Sequence, residues 1–285
     1  MGKKKQRGIW LTVMPLYLFT LVFILGPMIY MVILSFMSKA EGWGVDNVLT
    51  LRNYIRIGDP VYRECFVQSL KLAFTTTILA AAVGYPFGYF MAKLSPARKK
   101  SLLMLIMVPF WTSSLIRMYG WMIILQAKGV IYQAVRLFGF EIKPLKILYS
   151  YPAVLIGMVY ALLPFMMLAV YSSADKMDWQ LVEAARDLGA SAAKAFLTVT
   201  LPLTMPGLLS GVILTFVPSM GLFFIADILG GNKIVLVGSL IQDQLTRGAD
   251  WPFAAALSVV LMILTTLLLA LYRKVTHSGE LEGFY

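Results

Sequence analysis

Residues 152–173 read PAVLIGMVYALLPFMMLAVYSS, and residues 175–204 read DKMDWQLVEAARDLGASAAKAFLTVTLPLT. The first stretch runs 22 residues without a charge. A helix rising about 1.5 Å per residue crosses a hydrocarbon core of about 30 Å in that length. The second stretch turns polar at once and stays so until Leu201 and Pro202 open another apolar block. An uninterrupted apolar block, a short polar loop and a further apolar block describe a chain that crosses a membrane and turns back. In lipid the backbone must satisfy its own hydrogen bonds, and a continuous apolar block does so as a helix rather than as a barrel strand.

Blocks of the same kind recur on either side. The predicted spans are about 9–37, 67–92, 102–126, 152–173, 205–229 and 252–273. The fold class is therefore all-α, a polytopic transmembrane helical bundle of six spans, read as a single domain over residues 1–285. Composition agrees, with 59% hydrophobic and only 14% charged residues, where a soluble domain carries about a quarter charged. The apolar stretch from Ile9 is too long for a signal peptide and reads as a retained first span.

Several function classes drop out. The net charge of +11 comes from short Lys/Arg tracts beside apolar blocks, which suit anionic headgroups rather than nucleic acid. The single Cys65 rules out an intrachain disulfide framework, and with the single His277 in the C-terminal tail no His-based triad or zinc site can form in the bundle. No Gly-rich phosphate loop with Lys-Ser/Thr is present, so ATP is not hydrolysed by that route. No clustered nucleophile, base or metal-ligand set suggests a membrane enzyme.

Orientation is set by basic tracts next to the spans. Lys3, Lys4, Lys5 and Arg7, then Lys93 with Arg98, Lys99 and Lys100, then Arg273 and Lys274, mark the cytoplasmic side. Both termini are then expected in the cytoplasm. The opposite loops also carry Arg52, Arg56, Arg63, Lys143 and Lys146, so clustering rather than the total decides. Asp59-Pro60 and Lys143-Pro144 break any helix in the two larger outer loops, and Gly230-Gly231-Asn232 stops one at the start of the third.

The loop at 175–204 has a shape of its own. Asp178 can cap a helix beginning at Trp179. Leu181, Ala184, Ala185 and Leu188 share one face of it. Gly189 falls where a left-handed residue ends a helix, and a second short helix, about 191–200, is expected to stop at Leu201-Pro202. Two readings are open: a small knob that inserts into another protein's groove, or an amphipathic helix lying on the membrane.

The residues themselves resemble a known family. Glu183-Ala184-Ala185, three residues, Gly189, nine residues, Val199, any residue, then Leu201-Pro202 is similar in every spacing to the EAA loop of ABC-importer permeases, with Val199 where the family has Ile. Further stretches resemble the spermidine/putrescine importer permeases: Pro109 to Gly120, Asn53-Tyr54 with Asp59-Pro60, Leu162 to Phe165, Met220 to Phe223 with Asp227, and Asp250 to Phe253. Permeases for thiamine, iron, sulfate or phosphonate compounds share the fold. The resemblance implies a type I importer permease that moves polyamines by alternating access. The loop would dock on an ATP-hydrolysing subunit. The implied partners are a second homologous permease, two ATP-binding subunits, an extracytoplasmic polyamine-binding protein and membrane lipid. No cofactor is expected on this chain, with ATP and Mg on the partner ATPase subunits. A self-sufficient secondary transporter or channel is the rival class, and the spans offer it little for ion coupling.

Charges and aromatics within spans are the pathway candidates. Arg117 and Asp227 lie inside the third and fifth spans. Asp227 could meet a passing ammonium group, or the two could pair with each other or reach the headgroups. Trp111, Tyr119, Tyr160 and Phe223 could hold an ammonium over a ring at about 1 kcal/mol each, or serve as packing and interface aromatics. Pro109, Pro164 and Pro218 permit kinks. Lys71 reads as an interfacial anchor, and Met104, Met107 and Met118 as packing.

Overall fold

The computed structural model describes residues 13–42, 44–139, 144 and 146–281. The basic tract at 3–7, Trp43 and Lys143 lie outside them. Five helices are long and apolar enough to cross a membrane: α1 (Val13–Ser35), α3 (Pro60–Ala92), α7 (Tyr151–Asp175), α9 (Ala192–Gly221) and α12 (Trp251–Leu281), of which Trp251–Tyr272 is the apolar part. A bent pair, α4 (Pro96–Trp111) and α5 (Ser114–Leu125), brings the crossings to six if it counts as one. Between them lie a hairpin, β1 (Met37–Lys39) with β2 (Val45–Leu49), and the short helices α2 (Arg52–Ile57), α6 (Val130–Leu137), α8 (Gln180–Asp187), α10 (Phe223–Gly230) and α11 (Val237–Thr246). The chain divides into two compact units, residues 64–239 and residues 1–63 with 240–285.

Three expected boundaries change, each for a physical reason. The third span is not straight: α4 and α5 meet at 94°. Pro109 has no N–H to give and crowds the preceding turn, so the helix tightens to a 3₁₀ turn over Val108–Trp111. Thr112 and Ser113 are then extended, and the Thr112 hydroxyl donates to the Pro109 carbonyl at 2.8 Å. The second correction concerns Leu201-Pro202, which does not stop a helix. The chain runs unbroken from Ala192 to Gly221. A widened π-turn over Phe196–Thr200 takes up the misfit just before Pro202. The third is in the expected span 205–229, which is interrupted at Leu222, one turn after Pro218.

Within residues 64–239, α7 is the central helix. Gly84 and Gly88 of α3 face it on one side: a methyl at Gly88 would lie 2.7 Å from the Met167 carbonyl oxygen, and one at Gly84 2.7 Å from Met166 Cγ. Gly207 and Gly211 of α9 do the same on another side, 2.4 Å from Ser173 Cβ and 2.5 Å from Met166 Sδ. Small residues four apart let helix backbones approach where lipid provides no hydrophobic drive. A core of Leu72, Met118, Val154, Met158, Ile225 and Leu229 joins α3, α5, α7 and α10.

In the other unit the described residues of the first larger loop, expected from sequence at about 38–66, are held by specific contacts as far as Arg63. Asn53 Nδ2 donates to the carbonyls of Ser35 (3.0 Å) and Met37 (2.9 Å), and the Tyr54 hydroxyl bonds Ser35 Oγ at 2.6 Å. Arg56 pairs with Asp250 at 2.8 Å and lies 3.9 Å over the Phe253 ring. Burial alone would lower the Arg56 pKa, but hydrogen bonds to Tyr62 and Asp250 outweigh it and the net direction is upward. Asp250 also caps α12, accepting from the Phe253 N–H at 3.2 Å.

The α7–α9 contact generates a test. Gly207→Ala places a methyl against backbone and should cost about 1–3 kcal/mol. The purified protein in detergent should melt several degrees lower. Gly120→Ala, where nothing lies within 4 Å, should leave the melting temperature unchanged.

Candidate functional site

The elbow between α7 and α9 is assembled from local rules. Asp178 Oδ1 accepts from the Gln180 N–H at 2.9 Å and so caps α8, which begins one residue later than expected. At the other end the Ala190 N–H reaches the Ala185 carbonyl (3.0 Å) and the Gly189 N–H the Arg186 carbonyl (2.9 Å). This paired closure requires a left-handed residue, and Gly189 has φ +86°. Ser191 then caps the next helix, its Oγ accepting from the Lys194 N–H at 3.2 Å.

Among the described residues the elbow presents a surface without a partner. Glu183 and Ala184 are exposed and Ala185 is half-buried. Leu188, on the same apolar face, is 89% exposed. Val199 and Leu201 are half-buried and Pro202 is exposed on the continuous helix beyond.

Aromatic rings hold the elbow to the C-terminal end of α3. Tyr89 lies 5.6 Å from the Trp179 ring and 5.8 Å from the Phe196 ring. Lys93 Nζ sits 4.3 Å over Tyr89 and 5.1 Å over Trp179. Tyr85 packs on Phe196 at 5.9 Å, and its hydroxyl bonds Thr204 Oγ1 at 2.7 Å. Lys99 ties the start of α4 to Asp175 at the end of α7. Tyr85, Tyr89 and Phe196 are not among the residues singled out from sequence. A signal for them is present: Tyr85, Tyr89 and Lys93 fall four apart, one stripe on a helix.

The pathway candidates do not form one cluster. Arg117 lies 5.5 Å from the Phe110 ring centre and 5.8 Å from that of Tyr160, and Tyr160 packs on Trp121 at 5.4 Å. Among the described residues the buried Arg117 Nε has no hydrogen-bond partner. Asp227 Oδ1 accepts from Ser239 Oγ at 2.8 Å. Among the described residues the ion pairs are Arg56–Asp250, Lys99–Asp175 and Arg247–Asp243. Arg117 and Asp227, which sequence alone allowed to pair, do not: the first turns to aromatic faces and the second to a hydroxyl. Phe223 packs edge-on against Phe224. Trp111 and Tyr119 point away from the fold, 80% and 56% exposed. Hollows in the other unit are apolar and lie around Phe36 and Leu51, and none of these candidates lines them.

Three comparisons bear on the site. Residues 84–277 match the family described as "Binding-protein-dependent transport system inner membrane component". The chain is 43% identical over 265 residues to the spermidine/putrescine transport system permease protein PotB of Escherichia coli (strain K12), covering 92% of this chain and 96% of that protein. It is 39% identical over 264 residues to the protein of the same name from Haemophilus influenzae, covering 93% and 92%. Its fold is similar to a chain in the crystal structure of a bacterial ABC transporter involved in the import of the acidic polysaccharide alginate, with TM-score 0.71, 16% identity, and coverage of 96% and 97%.

The separation of Arg117 from Asp227 can be measured. The membrane abundances of Asp227→Asn and Arg117→Gln, relative to wild type, should multiply in the double variant. A double variant more abundant than Asp227→Asn alone would mean that the two charges pair after all.

Proposed function

The chain belongs to the binding-protein-dependent transport system inner membrane components, and we propose that it carries polyamines through the membrane and takes its power stroke through the elbow at 175–204. It is a multi-pass permease subunit of an ABC importer and not itself catalytic. The observation that carries the mechanism is the rigid, exposed α8–Gly189 elbow, closed at both ends by its own hydrogen bonds and fixed to the bundle. Polyamine as the substrate rests on relatives of 43% and 39% identity, named for spermidine and putrescine, that match along nearly the whole chain.

The proposed cycle begins when an extracytoplasmic binding protein delivers substrate. Two ATP-binding subunits, holding ATP and Mg, close beneath this chain and a homologous second permease. Glu183, Ala184, Ala185 and Gly189, with Val199, Leu201 and Pro202 supporting them, receive that movement, and the bundle opens to the opposite face. Both termini are cytoplasmic, on the side of Lys93, Arg98 and Lys100. Within the spans Asp227 meets a passing ammonium group, with Tyr160 and Phe223 as ring surfaces and Arg117 as a fixed cation in the same unit. Trp111 and Tyr119, exposed in the single chain, face the second permease or lipid.

Four experiments test this reading. In cells carrying the whole system, Asp227→Asn keeps an acceptor for Ser239 but removes the charge. Uptake of labelled spermidine should fall by about tenfold at normal membrane abundance, as loss of a desolvated charge contact implies; normal uptake would remove Asp227 from the pathway. Glu183→Lys, or Gly189→Val with about 1–2 kcal/mol of backbone strain, should abolish uptake while the chain still inserts. Normal transport by both would overturn the elbow assignment. Uptake that persists in vesicles without nucleotide would favour a self-sufficient transporter. Cysteine labels near residues 96 and 190 should react only from the cytoplasm.

A further inference from the structure

We propose that Tyr89 is the positioning residue through which the elbow moves α3, an inference that rests on the coupling role of the elbow. Trp179 stands immediately before the first arm of the elbow and Phe196 inside the π-turn of the second. Both rings meet on Tyr89, at 47° and 81° to its plane. Rings crossed at such angles interlock, so neither arm can slide along α3 without carrying Tyr89 with it. Lys93, one turn on, lies over both Tyr89 and Trp179 and closes the contact from the solvent side. One turn deeper, the Tyr85–Thr204 hydrogen bond attaches the same helix face to α9.

The neighbouring geometry makes the contact a lever rather than a cushion. Gly88 brings α3 to backbone distance from α7, and Gly84 seats it on the Met166 side chain, just beside Tyr85 and Tyr89. Close-packed helices move as bodies, not by compression. A displacement of the elbow is therefore delivered to α3 through the Tyr89 ring and to α9 through the unbroken backbone after Ser191. Among the described residues the Tyr89 hydroxyl makes no hydrogen bond, so the ring itself is what acts.

The test uses the complete transporter in proteoliposomes, supplied with binding protein, spermidine and ATP, and reads spermidine moved per ATP hydrolysed. Tyr89→Phe keeps the ring and should match wild type. Tyr89→Ala should move about fivefold less spermidine per ATP or worse, with ATP hydrolysis within about twofold of normal, because the exposed docking face is untouched. A merely structural role would lower assembly and both rates together, leaving the ratio fixed, and that outcome overturns the proposal. Where Tyr89→Ala fails to accumulate, Tyr89→Leu and Trp179→Leu carry the same expectation, and a normal ratio in them overturns it equally. Glu183→Lys in parallel separates the two readings. If it uncouples while the ring variants do not, only the role of Tyr89 falls; if it also transports normally, the elbow reading falls and takes this one with it.

Discussion

The close approach of α3 and α9 to α7 is the constraint on which residues 64–239 depend. In lipid, burial of apolar side chains gives no net drive between helices, so association relies on van der Waals contact at short range. Gly84 and Gly88 on α3, and Gly207 and Gly211 on α9, allow that contact with Met166, Met167, Ala169 and Ser173 of one helix. The elbow inherits its rigidity from this packing, since it joins the end of α7 to the start of α9 and leans on the end of α3. Were those helices a few ångströms further apart, Tyr89 and Tyr85 could not reach Phe196 and Thr204.

Proline and polar residues act within that frame by breaking helices where a break is useful. Pro109 opens the 94° bend between α4 and α5 and sets Phe110 beside Arg117. Pro202 is absorbed by a π-turn, and that turn is what brings Phe196 onto Tyr89. The same residue type thus ends one helix and merely rewinds another. The difference lies in the residues downstream of each proline. Thr112 and Ser113 can satisfy the broken turn with a hydroxyl, whereas Leu203 to Leu214 favour continuing as a span.

The all-α bundle and the local closure of the elbow were legible because each rests on short-range chemistry. Apolar length reads as a span, Asp178 as a cap, and Gly189 as a left-handed stop. The features that were not legible depend on tertiary partners. The 38–66 stretch is polar enough to read as a loop, yet Asn53, Tyr54 and Arg56 find acceptors on Ser35, Met37 and Asp250, far away in sequence. Two motifs that carried the family resemblance, Asn53-Tyr54 and Asp250 to Phe253, turn out to hold that second unit together. The aromatic stripe Tyr85, Tyr89 and Lys93 was visible as a pattern, but nothing local says that Trp179 and Phe196 fold onto it.

Moving a multiply charged cation through a chain of net charge +11 places its own demand on the charges inside the crossings. Had Arg117 and Asp227 paired, their fields would largely cancel at the distance of a passing substrate. Instead Arg117 rests on the faces of Phe110 and Tyr160, whose quadrupoles accept a cation without a counter-charge. Asp227 takes one neutral hydrogen bond from Ser239, which orients a carboxylate without neutralising it. In the pathway proposed above, the Asp227 carboxylate is open to an entering ammonium group, since among the described residues no guanidinium pairs with it. In the same proposal Arg117, resting on aromatic faces in the same unit, works against prolonged residence of the cation. Aromatic faces for the one and a hydroxyl for the other let the two charges coexist in a low-dielectric bundle without collapsing into an ion pair.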